Sequence, residues 1–271
     1  MGVTDDLDPE LAEVRQHELA DGCDTTIVTE AAPAIFANGG ARLREASDLV
    51  FKNRPTRYDL LSAPSLKLLT QRQEWLDLLA GDVLMTVGLH RVEKVLVATA
   101  TAPHQIFIRQ LRQTPDIRRT LSMGGVTLPQ AADHGHAGTM ALTCMDWRLH
   151  GPGGFGSYFA KLYDTGRFSV FGTAGAAKEL AHEGVRSDMV FAQIALLKGR
   201  TDRMVLVSHT DCGRYGGARA FAGPDAELRR LAADLAAAKH RVETAFPWLT
   251  VKTAIARTRG NRCLGVTPIG A

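Results

Sequence analysis

Two short clusters hold the side chains best suited to chemistry: Cys144-Met-Asp146-Trp-Arg148 and His209-Thr-Asp-Cys212-Gly213. Two thiols and an imidazole are the soft donors that zinc favours, and three protein ligands leave one tetrahedral position open, as in catalytic sites. The H-x-x-C spacing lets His209 and Cys212 reach one ion from a single turn, and Gly213, Gly216 and Gly217 permit a tight chain path there. Asp146 and Arg148, two residues apart, add a carboxylate and a permanent cation to the first cluster. The other thiols, Cys23 and Cys263, have no partner at ligand spacing and read as bystanders. There is no C-x-x-C, which argues against dithiol redox chemistry. Arg148 follows Cys144 by only four residues, too close for the phosphate cradle of a thiol phosphatase. His134 and His136 form an H-x-H in a Gly-rich stretch that reads as a solvated linker rather than a chelate.

The segments around these clusters alternate between apolar runs and helical periodicity. Thr139–Cys144, Arg167–Phe171, Arg203–Ser208 and Thr250–Ala256 read as strands, while Ser187–Lys198 and Asp225–Phe246 carry apolar residues every three or four positions and read as helices. Strands separated by helices imply a parallel sheet with right-handed crossovers, buried on both faces. In such sheets, sites form beyond the carboxyl ends of the strands, where Cys144 and His209 fall. The expected fold class is therefore α/β, a mostly parallel sheet flanked by helices. Residues 131–271 form the expected zinc domain, and residues 1–130 a mixed, helix-rich extension of unassigned function. No internal repeat is visible in the text of the chain.

With both halves of its C-x-D-x-R … H-x-x-C pattern intact and Cys144 and His209 65 positions apart, the chain resembles the β-class carbonic anhydrases over about Thr139–Gly260. The resemblance implies that Cys144, His209 and Cys212 hold Zn²⁺. It also implies an Asp146–Arg148 dyad beside the open position, with Asp146 able to act as a fourth ligand in a closed state. The implied activity is reversible hydration of CO₂ to bicarbonate by a zinc-bound hydroxide, in a homodimer or higher homo-oligomer. Two departures bear on the pocket: Trp147 is bulky where the family is small, and Gly172-Thr173 replaces an Arg-Asn pair. A pocket narrowed by Trp147 would suit another small heterocumulene, CS₂ or COS, and a catalytically silent zinc-binding relative is the other alternative. His150, beside the motif, is a candidate proton shuttle, with an exposed surface histidine the plainer reading.

Composition narrows the field further. The formal net charge of +3 over 271 residues, interleaved in sign, lacks the clustered basic face that nucleic acid requires. No apolar run approaches the roughly 20 residues that cross a bilayer, and the acidic start lacks the order of a signal peptide. A cytoplasmic setting, a small-molecule substrate and no nucleic-acid or membrane partner are the expectations.

Overall fold

The computed structural model describes residues 25–30, 41–52, 58–63, 69, 71–90, 92–99, 108–109, 111–113, 121–127, 138–150, 154–163 and 168–270. Cys23, His134 and His136 lie outside them. The fold is α/β with two sheets. The first holds β1 (Thr25–Glu30), β2 (Asp59–Ala63), β3 (Lys94–Thr99) and β4 (Ser122–Thr127), all parallel, in the order β2-β1-β3-β4. The second holds β5 (Thr139–Cys144), β6 (Ser169–Thr173), β7 (Arg203–His209), β8 (Thr250–Arg259) and β9 (Arg262–Ile269), in the order β6-β5-β7-β8-β9. Only β9 runs antiparallel. It returns through Gly260-Asn261, a two-residue hairpin with Gly260 at φ +54°. The expected last strand, Thr250–Ala256, is thus longer and doubled back.

Residues 1–130, expected to be mixed and helix-rich, therefore contain a four-stranded sheet as well as α1 (Ala41–Phe51) and α2 (Gln73–His90). The second sheet is accompanied by α3 (Phe155–Leu162), α4 (Ala177–Ala181), α5 (Val185–Ala195) and α6 (Pro224–Ala245). The helix of α5 ends three residues before Lys198, where Gly199 takes a positive φ.

The absence of a visible repeat is corrected by the topology. Each sheet places its second strand at the edge, then its first, third and fourth. The registers correspond too: Thr25 pairs with Lys94, which pairs with Ser122, as Thr139 pairs with Arg203, which pairs with Thr250.

Alternation along the strands explains the packing. Val28, Leu61, Val95 and Val97 join one continuous core with Met140, Leu142, Phe171, Met204 and Leu206 of the second sheet. Ile27, Leu60, Leu96 and Ala98 point the other way into a smaller cluster. That is the two-residue period of a strand covered on both faces.

Edge strands β2 and β6 lie against each other where the two sheets meet. Gly172 on β6 has no room for a side chain: an added Cβ would stand 2.0 Å from the Leu60 carbonyl oxygen. Its backbone N–H instead donates to Ser62 Oγ at 3.0 Å. Close main-chain approach is therefore the physical reason for glycine here. Gly172→Ala is expected to cost about 1–3 kcal/mol by overpacking, read as a lowered urea midpoint at unchanged slope.

Candidate metal centre

Cys144 ends β5, His209 ends β7, and Cys212 lies in the tight turn that follows. Parallel pairing of β5 with β7 brings their carboxyl ends side by side. The Cys144 and Cys212 sulfurs are 3.9 Å apart, and the ligating atoms of Cys144, His209 and Cys212 all lie within 4.8 Å of one another. Two sulfurs on a tetrahedral zinc at 2.3 Å would be about 3.8 Å apart, so the spacing fits the ion. All three side chains are buried.

The histidine is set up as a ligand. Its Nδ1 sits 2.9 Å from the Thr210 carbonyl oxygen, which can only accept, so Nδ1 carries the proton and Nε2 presents its lone pair. That Nε2 is buried and has no hydrogen-bond partner. A buried polar atom left without a partner is costly, and a cation held with the two sulfurs would satisfy it. The thiols are coupled as a pair. Hydrogen bonding to Cys212, then burial, pushes Cys144 well up, whereas the same hydrogen bond pulls Cys212 down. A cation bound between the two sulfurs would displace the thiol protons, so metal uptake would release protons.

Asp146 and Arg148 form the expected pair. Arg148 donates from its backbone N at 2.9 Å and Nε at 3.0 Å to Asp146 Oδ1, and from Nη2 at 2.7 Å to Oδ2. Both carboxylate oxygens are engaged, and Oδ2 stands 3.8 Å from His209 Nε2. Asp146 is thus held by Arg148 close beside the trio. The charges of Asp146 and Asp211 outweigh burial and hold the guanidinium above its ordinary value.

Asp211 had no assigned role in the sequence reading. It accepts from Arg148 Nη1 at 3.0 Å through Oδ2 and from Arg148 Nη2 at 2.9 Å through its backbone carbonyl. Its own N–H donates to Glu227 Oε1 at 2.6 Å. These contacts hold it at φ +56°, a left-handed conformation that aspartate tolerates better than most residues. An aspartate immediately before the second cysteine was the available signal, but its partner lay 63 residues away.

Two expectations are corrected. His150 is not at the surface and is not placed as a shuttle. It is buried, its Nε2 lies 2.9 Å from the Cys144 carbonyl oxygen, and burial lowers its pKa to about 4. Trp147 does not narrow the pocket. Its ring joins the smaller cluster of Ile27, Tyr58, Leu60 and Leu96 in the first half of the chain. The cavity beside the trio, about 30 Å³, is lined instead by Met85, Cys144, Met145, Asp146, Gly175 and Arg214. Gly175, at φ +78°, leaves space that Arg214 fills, and Glu179 holds the Arg214 Nε at 2.6 Å. Cys263 is buried on β9 and stands outside the trio.

No helix among the described residues is long and apolar enough to cross a membrane. Comparison of the chain with family models, curated proteins and solved structures finds no match. Fold and site together define an α/β protein with a buried Cys-His-Cys group able to hold a metal ion.

Proposed function

We propose that the chain is a zinc enzyme that interconverts CO₂ and bicarbonate. The observation that carries this reading is the juxtaposition of three buried soft donors with an arginine-clamped carboxylate and a cavity of about 30 Å³. Zinc, when bound, supplies Lewis acidity that brings a coordinated water toward ionisation near neutral pH.

The chain's own residues supply the rest. Cys144, His209 and Cys212 would hold the ion, and the His209 ring is oriented for this by the Thr210 carbonyl. Arg148 fixes the Asp146 carboxylate through two hydrogen bonds beside the trio, where it would accept a hydrogen bond from the reacting group and orient it. Asp211 and Glu227 brace the arginine from the second motif. Met85 and Met145 present apolar walls, and the small volume suits a linear triatomic rather than a bulky substrate.

Stopped-flow CO₂ hydration by the zinc-loaded chain tests the reading. Asp146→Asn, which keeps the shape and loses the charge, is expected to lower kcat about 100-fold by misdirecting the reacting group, with zinc content unchanged. Stoichiometric zinc without hydration at any pH would point to a silent relative. Turnover of CS₂ or COS alone would reassign the substrate. Either result would overturn the proposal.

A further inference from the structure

The two sheets correspond position by position. With Thr25 matched to Thr139, β1 register makes Glu30 the counterpart of Cys144, as each pairs with the last residue of its edge strand, Ala63 or Thr173. With Lys94 matched to Arg203, counting along the sequence makes Ala100 and Pro103 the counterparts of His209 and Cys212. Ala100 and Pro103 lie outside the described residues; their identities suffice. A carboxylate, a methyl and a pyrrolidine ring replace two thiols and an imidazole, so the first half has lost the donor set.

The contacts between the halves are those of a two-fold. In an isologous interface equivalent elements meet each other, and positions on the axis meet their own counterparts. Here β2 meets its counterpart β6, and α2 meets its counterpart α5. Ser62 and Gly172 are themselves counterparts, each one residue before the end of its strand at Ala63 or Thr173, and the Gly172 N–H donates to Ser62 Oγ.

Across this axis the first half holds the loop of the first metal motif. Leu60 N donates to the Met145 carbonyl at 3.0 Å, and Asp59 Oδ1 accepts from Trp147 N at 3.0 Å. These bonds bracket Asp146 on both sides. Asp59 is fully buried, and the Trp147 ring is packed into the first half's cluster. Met85, from α2, also supplies one wall of the cavity.

We propose that the first half is a ligand-stripped copy of the second, kept within the same chain as its two-fold partner, and that Asp59 is the positioning residue through which it fixes the metal loop. One chain then holds one metal ion and completes its site without a second copy. The cobalt readouts below rest on the metal reading, whereas the exchange readout does not.

Titration of the metal-free full-length chain with Co²⁺, followed by thiolate-to-cobalt absorption, is expected to saturate at one ion per chain. Two ions per chain would overturn the proposal. Asp59→Ala is expected to weaken cobalt binding about 10- to 100-fold, the usual loss for a residue that orients a ligand, and to alter the charge-transfer band. Asp59→Asn, which keeps an oxygen for the Trp147 N–H, should restore both. A residue that merely supported the fold would lower the melting temperature of Asp59→Ala while leaving cobalt affinity and spectrum unchanged well below melting; that result would overturn the role. Amide hydrogen exchange of residues 145–148 gives the metal-independent arm. Protection is expected to fall in Asp59→Ala and return in Asp59→Asn, and unchanged protection would overturn the proposal. A chain that takes up no cobalt yet shows this exchange pattern would refute the metal reading and leave the two-fold partnership standing.

Discussion

Replacing Cys212 by serine is expected to strip the chain of metal while leaving it folded. A buried site of three protein ligands draws its affinity from all of them, and structural zinc sites are worth about 10–16 kcal/mol in total. Losing one ligand of three removes roughly a third of that, about 3–5 kcal/mol, or two to four orders of magnitude in affinity. Serine is nearly isosteric, and Cys212 follows β7 in a turn closed by its own carbonyl, which accepts from Tyr215 N at 2.9 Å and Gly217 N at 3.0 Å. Those bonds do not use the sulfur, so the turn survives. Metal content by elemental analysis, beside far-ultraviolet circular dichroism, checks both halves of the expectation. Full zinc occupancy in the serine variant would show that Cys212 is not a ligand.

Arg186→Ala is expected to give the largest loss of stability, about 3–5 kcal/mol, because it leaves a buried carboxylate without its partner. Arg186 on α5 donates Nη2 to Asp82 Oδ1 at 2.7 Å and Nη1 to Asp82 Oδ2, and both side chains are under one-tenth exposed. Asp82 lies on α2, so the pair joins the two halves of the chain. The network continues through Glu179, 3.6 Å from Arg186 Nε, to Arg214 at the cavity. Burial already holds the Asp82 carboxyl above its ordinary value despite the guanidinium, and removing Arg186 raises it further. A carboxyl whose pKa is higher folded than unfolded adds stability below its unfolded value and loses that contribution as pH rises through the folded value. The penalty of Arg186→Ala should therefore be greatest at neutral pH and shrink on acidification. The double variant Asp82→Leu with Arg186→Met should recover most of the loss, since well-packed apolar replacements of buried pairs are often neutral or stabilising. Urea melts across pH measure each of these, and a pH-independent penalty would contradict the account.

The chemistry of the site was legible because it is local. Cys144 and His209 each end an apolar run, and a parallel strand buried on both faces writes itself as such a run. Their spacing within short motifs, together with the rule that sites gather at strand carboxyl ends, was enough to bring the three donors together before any coordinates. The helices Val185–Ala195 and Pro224–Ala245 were likewise visible from their periodicity, within a residue or two at most ends.

What surrounds those donors was decided only by tertiary contact. Trp147 looked like an intrusion into the pocket; it is a plug in the other half of the chain, anchored by an aspartate 88 residues earlier. His150 looked like a surface group and is buried against the Cys144 carbonyl. Gly172 looked like a lost cation and amide, and is a position where the Leu60 backbone leaves no room for any side chain. The duplicated strand order was invisible because side chains diverge freely wherever burial and size are kept, while register is a property of backbone pairing. Sequence by itself determined which atoms are able to bind a metal and on which strands they sit. The walls, the clamp and the partner that hold them in place arise between residues far apart in the chain, where no local spacing records who will meet whom.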